Sequence, residues 1–356
     1  MPPPAILWPE GKLNMRSSAA PARPRNTVAG APDNLAEKLS ERVVGQQAAM
    51  QTIVPCVQMF LAGLAPEGRP AGVFLLLGPT GTGKTRTVEA LADVLHGSEK
   101  NVLRIDCGEF QLEHEVARLI GAPPGYLGHR ETQPLLSQLR LNTVASENCG
   151  LSLVLLDEVE KAAPSFCRLL LGVLDKGLLR LGDNSMVSFE RSLIFLTSNL
   201  GAAGMMKEML PDFGFSAAAP KADDAADGKL HRIALAAVRK RFAPEFVNRI
   251  DAIVTYRPLD QAALAAILDQ QIEELQRHII NRLGPRGFEI DVLPESRRFL
   301  LRTGTSPRYG ARELKRTIHR HLTQPLAALV AGGQVAPGSS LRVEFDKDTG
   351  SLHIRY

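Results

Sequence analysis

The chain has 356 residues, 44% of them hydrophobic and 22% charged, the make-up of an ordinary globular protein with apolar surface for two cores. Its net charge of +4 is too small for this length to argue for or against a polyanionic partner. No apolar run reaches bilayer-spanning length or forms a secretory leader near Met1, and Cys56, Cys107, Cys149 and Cys167 lack metal-ligand or disulfide spacing, so they fit reduced thiols in a cytoplasm.

Residues 1–34, rich in Pro, Ala and Arg and without hydrophobic periodicity, read as a disordered tail. Trp8, the single tryptophan, lies there as a docking anchor or an idle tail residue. A helical pattern starts at Leu35, is interrupted by RVVGQ (Arg42 to Gln46), and resumes as an amphipathic helix from Gln47 to about Ala62. Val73 to Leu77 is an apolar run of strand length that stops at Gly78, and a helix follows from Gly83 to His96. Val102 to Asp106 reads as a strand and Leu112 to Ile120 as a helix. GAPPGYLGH (Gly121 to His129) must be loop, because prolines and glycines break either regular structure. Leu153 to Leu156 is a buried strand, Ala162 to Leu174 a helix, and Leu193 to Thr197 a further strand. PKADDAADG (Pro220 to Gly228) reads as a flexible acidic connection, followed by a basic helix to Phe242 and a strand from Ala252 to Tyr256.

Strands alternating with helices predict an α/β fold with a parallel sheet of five strands and helices on both faces, spanning residues 35–257. The pattern changes from Leu259. A long helix to about Leu283, a strand at Phe288 to Val292, a helix at Pro294 to Thr303, one helix from Ala311 to Ala331 and two strands turning at Asp348-Thr349-Gly350 make a small α+β lid domain over residues 258–356.

The chemistry concentrates where the apolar strands end. Gly78, Gly81, Gly83, Lys84 and Thr85 fit G-x-x-x-x-G-K-[ST] between a strand and a helix, so Gly78, Pro79, Thr80, Gly81, Thr82, Gly83, Lys84 and Thr85 form a phosphate-binding loop. Lys84 would reach the β- and γ-phosphates of ATP, and the Thr85 hydroxyl would take a place on Mg²⁺. Asp157 and Glu158, after four apolar residues, form a Walker B pair: one carboxylate for the Mg²⁺ shell, the other to orient or deprotonate the attacking water. Asn199, at the next strand end, is a candidate for the γ-phosphate or the water, and Arg249 and Arg312 for neutralising transition-state charge. The loop, Asp157, Glu158 and Asn199 all fall at carboxyl ends of strands, where parallel sheets bind ligands.

RVVGQ, GPTGTGKT, RLIGAPPGYLG, LVLLDEVEKA, LTSNLG, PEFVNRID and YGARELKR follow one another in an order and spacing that resembles the AAA+ family, in particular the second nucleotide-binding module of its Clp and heat-shock disaggregase branch. The resemblance covers Leu35 to Tyr356. It implies an ATPase that works as a homo-oligomeric, hexameric ring and threads unfolded or misfolded polypeptide through a central pore. It further implies that Val43, Val44 and Gly45 line the adenine pocket, that Asn199 is sensor 1 and Arg312 sensor 2, and that Arg249 is an arginine finger reaching the neighbouring subunit's site. Tyr126, within GYLG, would be the pore-loop aromatic that grips substrate. The amino-terminal domain, first ATPase module and coiled-coil insertion of larger relatives have no counterpart in this sequence, and His129-Arg130-Glu131 replaces the acidic, Gly-rich run that usually follows the pore motif. Phe213-Gly214-Phe215 stands where protease-linked relatives present a tripeptide to a Clp-type peptidase; two aromatics packed on the sheet is the competing reading, and it weighs ahead because Phe replaces an aliphatic residue. A nucleic-acid motor on the same fold is disfavoured by the GAPPGYLG stretch and by the lack of a basic, aromatic-interleaved patch. A nucleotide-controlled adaptor remains the third reading.

Overall fold

The computed structural model describes residues 34–121, 133–209, 223–306 and 309–355. Trp8, Tyr126 and Phe213-Gly214-Phe215 lie outside the described residues.

The first half builds one sheet. Helices α1 (Leu35–Arg42) and α2 (Gln47–Leu61) precede β1 (Gly72–Leu77), α3 (Lys84–His96) and β2 (Leu103–Asp106). Then come α4 (Ala117–Ile120), α5 (Gln138–Val144), β3 (Ser152–Asp157), α6 (Pro164–Lys176), β4 (Leu178–Arg180), β5 (Met186–Ser188) and β6 (Ser192–Ser198). Helices α7 (Ala202–Met209), α8 (Asp223–Arg241) and α9 (Pro244–Val247) lead to β7 (Ala252–Thr255). The sheet is five-stranded in the order β2-β3-β6-β1-β7, and every pairing in it is parallel. Its twofold side-chain period feeds two cores. Val73, Leu75 and Leu77 of β1 enter the core beneath α6 and α8. Phe74 and Leu76 enter the other, with α2 and α3. Phe74 stacks on Phe195, its register partner in β6, at 5.2 Å, which adds a cross-strand ring contact on one face of the sheet to the backbone ladder.

The second half has its own apolar centre. Helix α10 (Gln261–Leu283), capped by Asp260, is followed by β8 (Glu289–Val292), α11 (Pro294–Gly304), α12 (Ala311–Ile318), α13 (Gln324–Ala331), β9 (Ser340–Asp346) and β10 (Ser351–Arg355). β9 pairs parallel with β8 and antiparallel with β10. Leu268, Phe288, Leu300, Leu314, Leu322 and Leu341 meet between this sheet and the helices.

Several elements differ from the sequence reading for physical reasons. The helix expected over Leu112 to Ile120 contracts to α4. The Glu115 side chain accepts the Leu112 N–H at 2.8 Å, and the backbone bonds across Leu112 to Leu119 run three residues apart, which winds a tighter turn. The connection expected at Pro220 to Gly228 is helical from Asp223, since acidic residues suit a helix start as well as a linker. The helix expected from Ala311 to Ala331 runs unbroken over those bounds, and what the sequence reading does not give is its widening into a π-turn at His319–Thr323. Pro325 has no N–H to give to the preceding turn, and the extra residue absorbs the lost bond. The β4–β5 hairpin is not announced by periodicity; its turn is held by Asp183, whose carboxylate accepts both the N–H and the hydroxyl of Ser185.

Candidate nucleotide site

The loop after β1 and the first turn of α3 form the floor of a cavity of about 340 Å³. The first N–H groups of a helix have no partner four residues back, so this floor carries unpaired donors and the positive end of the helix dipole. Thr80 through Arg86 line the floor, Val43 and Val44 one side wall, and Asp157, Glu158, Thr197 and Asn199 the other. The roof belongs to the second half of the chain: Leu259, Ile267, Gln271, Ala311 and Arg312 among others. Gly45, Gly78 and Pro79 do not line the cavity; Gly45 backs onto Ala263 at the start of α10 instead.

Lys84 is 8% exposed and folded back onto its own loop. Its Nζ donates to the carbonyls of Gly78 (2.6 Å) and Pro79 (2.9 Å) and to Asn199 Oδ1 (2.8 Å). Burial pulls its pKa down from 10.5 to about 8; the carboxylates of Glu160, Asp157 and Glu158 work against that pull, and Arg312 adds to it.

The carboxylate wall is set by strand register. β3 and β6 are neighbours with Leu156 opposite Leu196, which brings Asp157 beside Thr197. The Thr197 hydroxyl donates to Asp157 Oδ1, and Arg104 of β2 donates to Asp157 Oδ2 at 2.7 Å. Glu158 leaves the strand in the left-handed region, φ 58°, a conformation that costs about 1–2 kcal/mol for a side chain with a Cβ. Its N–H donates to Thr197 Oγ1 at 3.0 Å, and its carboxylate pairs with Lys161 and receives Asn199 Nδ2 at 3.4 Å. The turn thus turns Glu158 toward Asn199 rather than along the strand. Glu160 holds the other end of Asn199: its Oε1 accepts the Asn199 N–H at 3.0 Å, while Oε2 is buried with no hydrogen-bond partner among the described residues.

Arg312 lines the roof, and among the described residues no carboxylate lies within ion-pair range of its guanidinium. Arg249 does not reach the cavity. It sits after α9, where Nη1 donates to the Glu245 carbonyl at 2.7 Å and Nε lies 3.7 Å from Asp175.

The donor set suits a small hard cation. Thr85 and Asp157 offer oxygen only, and among the described residues no cluster of three or more His, Cys, Asp or Glu could hold a metal unaided. A cation here would share its shell with phosphate and water, the coordination Mg²⁺ prefers. Sequence reasoning missed Arg104, Thr197 and Glu160. For Thr197 the available signal was its place near the carboxyl end of β6; Arg104, second in β2, and Glu160 carry no local signal.

Floor, carboxylate wall and apolar side wall together define a P-loop nucleotide-binding protein. The model of the AAA domain (Cdc48 subfamily) matches residues 69–253, and that of the C-terminal, D2-small domain of ClpB protein matches residues 259–343. The chain belongs to the AAA family, in its Clp-type branch. It is 39% identical over 312 residues to chaperone protein ClpB of Pseudomonas putida, covering 88% of this chain and 34% of that one. The ClpB of Meiothermus ruber is 38% identical over 309 residues, with coverage of 87% and 34%. Among solved structures, the S. cerevisiae Hsp104–casein complex in its extended conformation superposes with a TM-score of 0.77 at 27% identity, over 92% of this chain and 52% of that one. The closed-state reconstruction of Hsp104 with ATPγS and FITC casein gives 0.73 at 28%, over 90% and 51%. The chain therefore spans about a third of the length of the curated relatives it matches. Among the described residues no helix is long and apolar enough to cross a membrane.

Proposed function

We propose that the chain is a Clp-type ATPase module that binds ATP with Mg²⁺ in this cavity, hydrolyses it within a homo-oligomeric, hexameric ring, and uses the cycle to remodel unfolded or misfolded protein. The observation that carries the reading is convergence: Lys84, Thr85, Asp157, Glu158, Asn199 and Arg312, drawn from four separate stretches, line one cavity roofed by the small domain.

Lys84 leaves the Gly78 and Pro79 carbonyls to meet the β- and γ-phosphates, for which the loop N–H groups supply the cradle. Mg²⁺, held by Thr85 and Asp157, would neutralise phosphate charge. Glu158 acts as base or orienter for the attacking water, with Asn199 fixing its carboxylate. Val43 and Val44 offer the apolar wall an adenine ring needs. Arg312 approaches the γ-phosphate from the roof, so its reach depends on the angle of the small domain. Arg249, outside its own cavity and held among the described residues by the Glu245 carbonyl and a long contact to Asp175, is available to a neighbouring subunit. Tyr126 grips the polypeptide, and Phe213-Gly214-Phe215 is the candidate contact for a Clp-type peptidase. Four free thiols suit a reducing cytoplasm.

Glu158→Gln tests the reading. ATP should still bind, turnover should fall by about two to four orders of magnitude, and the ring should trap a tagged substrate. Unchanged turnover sinks the assignment. The wild-type protein with ATP, a tagged folded substrate, and a Clp-type peptidase present or absent then separates unfolding, degradation and neither.

A further inference from the structure

Gln46, the last residue of RVVGQ, is 4% exposed at the start of α2. Its side chain makes three hydrogen bonds to main-chain groups far away in sequence. Nε2 donates to the Thr82 carbonyl at 3.1 Å and to the Arg257 carbonyl at 3.0 Å, and Oε1 accepts the Arg257 N–H at 3.2 Å. Thr82 belongs to the phosphate loop. Arg257 belongs to the short connection between β7 and α10, the covalent link that carries the small domain. A primary amide can give two N–H bonds and accept another from one planar group; a carboxylate lacks the donors and an aliphatic chain lacks both.

The contacts around it form an unbroken chain. Lys84 Nζ and the Thr82 hydroxyl both donate to the Pro79 carbonyl, each at 2.9 Å. The Thr82 carbonyl then meets Gln46, and Gln46 meets Arg257. The neighbouring Tyr256 is fully buried: its N–H donates to Leu77 O at 2.7 Å, and its hydroxyl to Thr87 Oγ1 at 2.8 Å. Its carbonyl would sit 2.6 Å from a Cβ at Gly78. The connection is therefore clamped to both ends of the phosphate loop, and Lys84 is the member of the chain that must let go when phosphate arrives.

We infer that Gln46 is a positioning residue that couples the phosphate loop to the small-domain connection, so that a large share of the small domain's angular response to nucleotide passes through its amide, beside the direct contact of Ala311 with Gly81. The inference rests on the reading that nucleotide changes that angle. It predicts that binding and response separate when the amide is removed, which a merely structural residue would not do.

The experiment places spin labels at exposed Lys100→Cys and Arg286→Cys in the full chain, dilutes labelled with unlabelled subunits, and measures the label distance without nucleotide, with ADP and with ATPγS. Wild type should shift with nucleotide. Gln46→Met, which keeps the side-chain length and loses every polar contact, should hold nucleotide within about fivefold of wild type and lose at least half of the shift. If Gln46→Met does not fold, Gln46→Asn, which keeps the amide but is too short for both partners, is read in its place. A full shift in the variant overturns the coupling. Loss of nucleotide binding also overturns it, because Gln46 would then belong to the binding site itself. No shift in wild type overturns the hinge reading beneath it.

Discussion

Lys84 makes the site sensitive to pH in a way that can be counted in protons. In the nucleotide-free protein burial lowers its pKa from 10.5 to about 8, so the ammonium form is destabilised by about 3 kcal/mol. The sign follows from linkage. A pKa depressed on folding contributes stability that is fully present above 10.5 and is lost as pH falls through 8, so at neutral pH the charged Lys84 burdens the empty fold. Phosphates reverse this by giving the ammonium its counter-charge. At pH 8 about half of the Lys84 side chains are neutral, and nucleotide binding should draw about half a proton per site from the buffer. At pH 7 the uptake should drop to about a tenth, and above pH 8 affinity should weaken by up to about tenfold per pH unit. Titration calorimetry in buffers of differing ionisation enthalpy reads the uptake directly. Lys84→Arg, always charged, is the control: subtracting it removes the ionisation of the nucleotide's own phosphates. Equal uptake by the two proteins at pH 8 refutes the argument.

Arg104 donates to the proposed metal-binding carboxylate of Asp157 while its own side chain is about half exposed, so the pair is worth about 1 kcal/mol. Arg104→Gln should therefore lower the Mg²⁺ concentration needed for half-maximal nucleotide binding by about fivefold, seen in a fluorescent-nucleotide titration against free Mg²⁺; no change would mean the pair does not oppose the metal. Arg249→Ala should leave thermal stability within about 1 kcal/mol, since its contact to Asp175 is long and partly solvated. Nucleotide affinity should hold while ATP turnover drops by about three orders of magnitude or more, and retained turnover would remove the trans-acting role.

What could be read in advance was whatever the chemistry keeps contiguous. A loop that wraps phosphate needs its glycines, Lys84 and Thr85 within eight positions, and β1 advertises itself because all six of its residues are buried. Asp157 and Glu158 stand out because they follow four apolar residues downstream of a phosphate loop; alone they would read as a solvated acidic turn. The contacts that arrange these groups are written nowhere locally. Arg104 meets Asp157 only because β2 and β3 pair parallel with Asp106 opposite Asp157, and the partners of Gln46 lie 36 and 211 positions away. The π-widening between α12 and α13 lies just before Pro325, and whether a proline ends, kinks or widens a helix depends on what packs against it. Here Leu322, inside the π-turn, is fully buried and holds the two pieces in line.

The roof touches the floor directly. The Ala311 N–H donates to the Gly81 carbonyl at 3.1 Å, and a Cβ added at Gly81, where φ is +78°, would lie 2.2 Å from the Tyr309 carbonyl. The loop's middle glycine thus serves the turn and the approach of a segment encoded more than two hundred positions later. That has a consequence during synthesis. A ribosome adding about 5–20 residues per second needs roughly 5–20 s to deliver the hundred or so residues that follow β7 and build the roof. Through that interval the phosphate loop is made but unroofed, its Gly81 carbonyl without the Ala311 N–H that later covers it. The nucleotide cavity is therefore completed only after the small-domain segment has followed the sheet out of the ribosome.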